Sequence, residues 1–386
     1  MYQKILEKNK NFIQNQKMYS SLEDSIQESV SELNSKKIFF LSGLKHTGKT
    51  KLIHALLKKT RNFDSSFYYN SDLDSLGLIK THENLITLLD IHIRIQGIPK
   101  IIILQNTNNI TGIKKFIAQL YKTKKYKLII VWNNIRIEWV REIELFPAGI
   151  NKDNVEESFF GWISEVRVVS DLQYKDFLLS ALKCDIVSRD ILESYNIKNI
   201  SLFYRIMTYI AQSTHYQSLR EIHRSLAEHD IDISLLTMID YINAALNTKL
   251  LSRAYLYDVK NCHVITSKAQ YFFWDAGIRR AFDKNVDLTE NLLYIELRRN
   301  LYNITAWLNG RFQFAFRAEK DGKVLSIALD NSQDKNEIRK TARKLEKIWD
   351  DSQKIVIVKD KNSLGMRKFL EEWVEIIELR EILEKI

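Results

Sequence analysis

Apolar residues recur at two different intervals along this chain. From 2 to 34 they fall every three or four positions (Ile5, Phe12 and Ile13, then Leu22, Ile26, Val30 and Leu33), which predicts two amphipathic helices. At 38 the pattern changes. KIFFLSG is a short uninterrupted apolar run closed by glycine, and after a loop LIHALLKK returns to helical spacing. SFYYN at 66–70, KIIIL at 100–104 and KLIIVW at 127–132 are further strand candidates, with helical stretches around 82–96 and 112–122. Buried strands alternating with helices predict an α/β domain whose parallel sheet is covered on both faces. That domain is expected to end near Gly149.

Beyond it, 155–260 shows no strand pattern until its end. Leu202, Ile206 and Ile210 share one helix face, and Leu219, Ile222 and Leu226 another; Leu235, Ile239, Ile242 and Leu246 make a third. RAYLYDV and NCHVITS follow as short extended pieces. Three helices and a hairpin describe an α-helical winged-helix domain. The remainder mixes both periods, as an α+β domain does: a helix at 289–301, strands at 311–318 and 323–329, a helix at 334–349 and a strand at KIVIVKD. A charged amphipathic helix is expected from about 364 to the end. The expected division is therefore 1–35 for the N-terminal helices, 36–150 for the α/β domain, 151–265 for linker and winged helix, and 266–386 for the last domain.

Composition narrows the class. The chain has 386 residues, 45% hydrophobic and 27% charged, with only two prolines and 11 glycines, the profile of a globular protein rich in long helices. No stretch reaches the ~20 apolar residues of a membrane span, and the N-terminus lacks the apolar core of a secretory signal. Cys184 and Cys262 have neither disulfide-framework nor metal-ligand spacing. A cytoplasmic location, with no membrane partner, is the expectation. The net charge of +10 is compatible with nucleic acid, but the lysines are scattered, and KTKKYK at 122–127 lies between a helix and a strand, where lysines are ordinarily solvated.

The most specific chemistry lies in GLKHTGKT at 43–50, a full match to G-x-x-x-x-G-K-[ST] placed between a strand and a helix. Gly43 and Gly48 let the backbone curl so that successive N–H groups face phosphate oxygens. Lys49 supplies a point charge for the β- and γ-phosphates, and the Thr50 hydroxyl is placed to ligate Mg²⁺. The positive end of the following helix adds to the attraction. Lys45, Thr47 and Lys51 complete the expected nucleotide-binding set; His46 occupies a position that tolerates most residues. A P-loop NTPase sheet with flanking helices, taking ATP and Mg²⁺, is the expectation.

With that loop fixed, the chain resembles, from about 36 to 360, the prokaryotic AAA-type ATPases that carry a winged helix and a C-terminal degenerate restriction-nuclease-like, PD-(D/E)xK-type domain. SFFGWISEV at 158–166 is similar to the family's GGFPEV segment, and CDIVSRDI at 184–191 keeps an Arg189–Asp190 pair. STHYQSLREIHRSL and SLLTMIDYINAAL resemble the winged-helix pair. QYFFWDAGIRRAF at 270–282 keeps Asp275, Gly277 and Arg279; TENLLYIELRRNLYNI at 289–304 keeps Glu290, Asn291 and Glu296. The resemblance implies an Asp-Glu pair after the third strand, the first carboxylate holding Mg²⁺ through water and the second orienting the attacking water. Gln105 and Asn106 stand there instead. An amide carries no charge and cannot take a proton, and phosphoryl transfer depends almost wholly on positioning and charge. The following strand should end in Thr-Gly-Ser, which senses the γ-phosphate; it ends in Val131, Trp132, Asn133 and Asn134. The arginine implied before the Phe146–Pro147 turn is out of register, with Arg136 and Arg141 only nearby. No residue is therefore assigned a catalytic role. Asp72, Asp74 and Asp90 are read as solvated surface acids.

The C-terminal domain departs in the same way. Where the resemblance implies a metal-binding Asp the strand reads Gln313, Phe314, Ala315 and Phe316, and Ile327, Ala328 and Leu329 offer neither the next acid nor the lysine. Glu290 and Glu296 are read as helix-face carboxylates. The third winged-helix helix, Ser234 to Thr248, has Asp240 as its sole charge, whereas a groove-reading helix presents Lys or Arg; Lys249, Arg253, Arg220 and Arg224 lie around it. The dispersed His215, His223, His229 and His263 have no zinc spacing with cysteine. Three functions remain in contention: an ATP-binding protein impaired in hydrolysis and using nucleotide as a conformational ligand, a slow ATPase with substitute residues, and a basic DNA-associated scaffold. The partners in view are nucleotide first, then a protein partner or self-association, with DNA the weaker reading.

Overall fold

The structure, a computed structural model, describes residues 2–15, 38–131, 142–145, 150, 154–192, 194–258, 261, 263–309, 312–332, 334–347, 351–358, 370–371 and 374–386. The expected helix through Leu22, Ile26, Val30 and Leu33 lies outside these residues, as do Trp132 to Asn134, Arg136, Arg141, Phe146, Pro147, Gly149 and Cys262. The chain divides into two compact units, Met1–Leu145 and Phe146–Ile386.

The first unit is built on β1 (Ile38–Ser42), β2 (Ser66–Asn70), β3 (Ile101–Gln105), β4 (Lys127–Val131) and β5 (Glu142–Glu144), in the spatial order β2-β3-β4-β1-β5. All four pairings are parallel. Parallel strands need crossover connections, and helices supply those between β1 and β4: α2 (Lys49–Lys59), α3 (His82–Gln96) and α4 (Ile113–Thr123). Leu85, Leu88 and Leu89 of α3 and Phe116, Ile117 and Leu120 of α4 pack on one face with Phe40, Phe67, Ile102 and Ile130. Leu52, Ile53, Leu56 and Leu57 of α2 pack on the other with Phe39, Leu41, Ile103 and Ile129. Burial on both faces is why the strand sequences show no polar alternation.

The N-terminal helix α1 (Tyr2–Gln14) is part of the same unit. Ile5 and Leu6 join the first of those clusters and Ile13 the second. Its buried Asn9 donates from Nδ2 to the Ile5 carbonyl at 2.9 Å and accepts at Oδ1 from the Asn70 N–H at 2.7 Å. The Ile13 carbonyl lies 2.7 Å from His54 Nδ1 on α2. One buried amide and one imidazole thus fix α1 to the end of β2 and to the helix of the phosphate loop.

The second unit opens with short helices α5 (Val155–Ser158) and α6 (Ser164–Arg167), then α7 (Leu172–Asp185), which runs into a π-helical stretch at Ile186–Leu192. Helices α8 (Ile200–Gln212), α9 (Leu219–Glu228) and α10 (Leu235–Asn247) follow. Each starts on a side-chain cap: Asn199, Ser218 and Ser234 accept from the third helical N–H. Next come β6 (Leu251–Asp258) and β7 (His263–Phe273), antiparallel, with α11 (Ala276–Phe282) and α12 (Thr289–Arg299) behind them.

The remaining elements are β8 (Asn303–Asn309), β9 (Phe312–Lys320), β10 (Lys323–Asp330), α13 (Lys335–Glu346), β11 (Gln353–Val358), β12 (Leu370–Glu371) and β13 (Val374–Glu378). The β6–β7 hairpin does not stand apart from them. β6 pairs in parallel with β8, so one eight-stranded sheet runs β12-β13-β11-β10-β9-β8-β6-β7. The boundary expected at 265/266 runs through β7. Phe272, Tyr294 and Phe316 pack on one face of this sheet, with the Phe272 and Tyr294 rings stacked at 4.2 Å, while Ile338, Ala342 and Leu345 of α13 pack with Ala328 and Val356.

The closing amphipathic helix is a correction. Val374 to Glu378 forms β13, in parallel register with Lys354 to Val358 of β11, and a 3₁₀ turn at Leu379–Glu384 ends the chain. VEIIELREIL satisfies a helical period, but sheet pairing with an apolar neighbour strand overrides so short a local signal. Among the described residues no helix is long and apolar enough to cross a membrane.

Candidate nucleotide-binding site

The loop Gly43–Thr50 leaves the C-terminal end of β1 and enters α2 at Lys49. Gly43 has φ 152°, and a Cβ there would lie 2.6 Å from the Leu145 carbonyl oxygen, against backbone that cannot withdraw. Gly48 caps α2 in a left-handed conformation, φ 92°, as glycine does at low cost. His46 is also left-handed, φ 66°. The curl is pinned by Thr47, whose N–H and hydroxyl both donate to the Leu44 carbonyl, at 3.3 and 2.7 Å.

Lys49 is only 9% exposed. Its Nζ donates to the carbonyls of Gly43 at 2.6 Å and Leu44 at 2.8 Å, so the ammonium is held inside the loop by carbonyl dipoles. A triphosphate would replace these partners with anionic oxygens, which make stronger charge-assisted bonds. Lys45, Thr50 and Lys51 are half-buried around it, and Thr47 is buried. The sequence-derived set thus converges on one loop at a helix N-terminus, an arrangement suited to phosphate.

Across from the loop lies Gln105, where the resemblance implies an acid. Gln105, the last residue of β3, is buried. Its Nε2 donates to Thr50 Oγ1 at 3.0 Å, and its Oε1 accepts from the Tyr68 hydroxyl at 2.8 Å. Burial pushes the Tyr68 phenol well above its usual range, so it remains a donor. An ordinary acid at this position would offer Mg²⁺-bound water a negative acceptor. Here a neutral amide directs an N–H at the hydroxyl that would ligate the metal. Mg²⁺ keeps most of its water and binds through few protein ligands; Thr50 fits it as that ligand, and among the described residues its side-chain partner is the Gln105 amide, not a carboxylate.

Asn106 follows in the left-handed region, φ 54°, where asparagine is among the better tolerated side chains. Its Nδ2 donates to Asp72 Oδ2 at 2.7 Å and Asn70 Oδ1 at 3.3 Å. Asp72 is exposed, as expected, and also accepts from the residue that follows β3. Asp74 accepts from the Ile79 N–H at 2.9 Å, and Asp90 is exposed on α3.

The residues carrying the family likeness in the second unit are structural joints. Asp275, fully buried, caps α11 by accepting from the Ile278 N–H at 3.0 Å and also takes the Trp162 N–H at 2.8 Å. Burial pushes its carboxyl up to about 6. Arg279 donates to the Ala211 carbonyl from Nε at 3.0 Å and Nη2 at 2.8 Å. Asn291 bonds both the N–H and the carbonyl of Phe273, each at 2.9 Å. Arg189 lies in the π-helical stretch and pairs with Asp185 at 2.9 Å.

Glu290 and Glu296 are not open helix-face acids. Glu296 is buried and accepts from the Ile150 N–H at 3.0 Å and the Asn300 amide at 3.1 Å. Glu290 accepts from Gln270 Nε2 at 2.7 Å, and burial pushes its carboxyl up to about 7. Ala315 offers its carbonyl to the Tyr216 hydroxyl at 3.1 Å, and Ile327 and Ala328 are buried. Among the described residues no group of three His, Cys, Asp or Glu converges on a metal position. On α10, Leu236 is 75% exposed, while the Lys249 ammonium is buried 5.1 Å from the Trp274 ring centroid.

The first unit has a P-loop NTPase fold: a parallel sheet in the order β2-β3-β4-β1-β5 with flanking helices, and the Gly43–Thr50 loop leaving β1, between β4 and β5. No family model matches the chain. It is 25% identical over 166 residues to an uncharacterized protein of Haemophilus influenzae, a stretch amounting to 42% of each chain, so the match spans less than half of that relative. Among solved structures it is similar to the Walker-type ATPase PABY2304 of Pyrococcus abyssi, with TM-score 0.48 and 13% identity, covering 68% of this chain and 95% of that one. It is also similar to AMPPCP-bound DnaA from Aquifex aeolicus, with TM-score 0.26 and 14% identity, covering 60% and 90%.

Proposed function

We propose that this chain is an AAA-type ATP-binding protein that holds ATP–Mg²⁺ at Gly43–Thr50 as a conformational ligand and hydrolyses it slowly. The observation that carries this is the pairing of an intact cradle with a neutral neighbour. Lys49 is held within the loop, while Gln105 presents an amide, not an acid, to Thr50. Binding needs the N–H groups, the ammonium and the helix dipole, all of which survive. Fast cutting needs a charged, preorganised metal and water shell. The triphosphate would draw Lys49 from its carbonyls onto the phosphates and so order the loop, α2 and the ends of β1 and β3.

Within the second unit, we read α8 to β7 as a winged helix and the sheet from β8 to β13 as a degenerate nuclease-like domain. Both readings rest on element order and on the buried motif residues. The exposed Leu236 and the lack of any basic residue on α10, whose sole charge is the exposed Asp240, favour packing against protein, a partner or another copy, over reading of DNA.

The test is Gln105→Asp. Restoring one carboxylate beside Thr50 should raise steady-state phosphate release about tenfold or more, given that one charge-assisted interaction is worth roughly 1.5–3 kcal/mol. It should also make ATP binding depend on Mg²⁺ more steeply than in the native protein. Brisk phosphate release by the native protein, unchanged in Gln105→Asp, would contradict the reading.

A further inference from the structure

β2 and β3 end in register, Asn70 opposite Gln105, and Tyr68, two residues earlier, shares their face of the sheet. These side chains form a line of hydrogen bonds whose direction is set at one end. A backbone N–H only donates, so the atom of Asn70 that meets the Asp72 N–H at 3.1 Å must be its oxygen. The same oxygen accepts from Asn106 Nδ2 at 3.3 Å. The Asn70 amide nitrogen is then the end left for Tyr68. Burial lifts the Tyr68 phenol, and its hydrogen bond with the Asn70 side chain opposes that rise, as a donor to the oxygen does. With its oxygen accepting from Asn70, the Tyr68 hydroxyl gives its one hydrogen to Gln105 Oε1 at 2.8 Å. The Gln105 nitrogen therefore faces Thr50, 3.0 Å from Oγ1, while Oε1 lies 3.5 Å from it. Turning that amide over would leave the hydrogen of a buried phenol without an acceptor, which is costly.

The consequence is the polarity at Thr50. An acid in place of Gln105 would take the Thr50 hydrogen and leave the hydroxyl oxygen electron-rich for a cation. Here an N–H points at that oxygen and turns its positive end toward the place a hydrated cation would occupy. Attraction for the nucleotide comes instead from the Lys49 ammonium, the curled loop N–H groups and the start of α2, none of which needs the ion. We propose that Tyr68 is a positioning residue that holds the Gln105 N–H toward Thr50, and that Gly43–Thr50 is for this reason a metal-indifferent site, taking free ATP and its magnesium complex about equally well. This rests on the ATP-binding reading above. The phosphates alone hold an ion that arrives with the nucleotide, and the protein, through Thr50, adds little to that grip. Free ATP is also the more negative of the two ligands, so the basic cradle loses nothing without the ion.

Isothermal titration of the full chain with ATP, once in excess EDTA and once in excess magnesium, tests this. The two native affinities should agree within about threefold. Tyr68→Phe keeps the ring, removes the hydroxyl and frees the Gln105 amide to turn its oxygen toward Thr50. Magnesium should then tighten ATP binding about tenfold, the scale of one hydrogen bond to a charged partner. Asn70→Asp keeps an oxygen for the Asp72 N–H but puts an acceptor where the donor was. Tyr68 would then give its hydrogen to the new carboxylate and accept from Gln105, which reverses the line of bonds and should bring the same magnesium dependence. Thermal unfolding without nucleotide shows which variants are folded. A merely structural role for Tyr68 would change both affinities alike and leave their ratio at the native value. That result in folded Tyr68→Phe overturns the proposal, as it does in Asn70→Asp should Tyr68→Phe not fold. Native protein that binds ATP only with magnesium overturns this inference alone; native protein that binds ATP under neither condition removes the underlying reading as well.

Discussion

Lys49→Ala should weaken ATP binding by about 100-fold or more. A charge-assisted hydrogen bond contributes roughly 1.5–3 kcal/mol, Lys49 has the reach to serve the β- and γ-phosphates together, and about 1.4 kcal/mol is tenfold in affinity. The expected loss is specific to the phosphates. ATP should suffer more than AMP, because the ammonium faces the loop interior at the Gly43 and Leu44 carbonyls. Isothermal titration of both proteins with ATP, ADP and AMP measures it. The fold should survive, since the β1 and α2 cores are made by Phe39, Leu41, Leu52, Ile53, Leu56 and Leu57. Unfolding without nucleotide should therefore change little, whereas the protection ATP gives the native protein should disappear. Equal affinity in the variant would mean that phosphates are not held by this loop.

The largest effect on stability is expected at Gly277. A Cβ there would lie 2.2 Å from the Phe160 carbonyl oxygen, 2.6 Å from its carbon and 2.8 Å from Leu179 Cδ2. The first two are backbone, and the neighbouring Gly161 is held at φ 74° against the Asp275 carboxylate, so the Phe159–Trp162 segment has nowhere to move. Overpacking typically costs about 1–3 kcal/mol, and a clash with fixed backbone belongs at or above the upper end. Gly277→Ala should lower the unfolding temperature of the second unit by roughly 6–12 °C, at about 2–4 °C per kcal/mol for a unit of this size. Differential scanning calorimetry checks it. ATP affinity should be unaffected, because the whole cradle lies in the first unit. A melting temperature within a degree of native would show that α11 and the Phe160 turn are not locked together.

The glycine-bearing loop after β1 and its sheet were legible because both signals are local. The loop is eight consecutive residues, and the strands are uninterrupted apolar runs whose burial on both faces removes any alternation. Chemistry across strand ends was less legible. Asp72 is exposed, as its reading as a surface acid implied, but its partner Asn106 is 34 residues away and is brought close only by the register that sets Asn70 against Gln105. A positive φ at Asn106 also leaves no periodic trace, although an asparagine after an apolar strand is a weak hint of it.

The same limit explains the second unit. Glu290 and Glu296 read as helix-face carboxylates rather than metal ligands, and the Gln270 amide and the Ile150 N–H that bond them come from distant parts of the chain. The parallel pairing of β6 with β8, which merges the hairpin with the last sheet, is likewise non-local. At the C-terminus the helical period of VEIIELREIL competed with parallel pairing to β11, and pairing won. Asp275, Gly277, Arg279 and Asn291, singled out by motif likeness, are held in the structure by close contacts. Their constraint is packing, visible once Trp162, Phe160, Ala211 and Phe273 are seen against them.

The most direct measurement mixes excess purified protein with labelled ATP and magnesium, then identifies the nucleotide recovered from the protein over time. Retention with the γ-phosphate still attached after many minutes, and ADP appearing only slowly, is the result expected of an intact cradle facing Gln105 and Asn106. Recovery of no nucleotide, or of ADP within seconds, would contradict it.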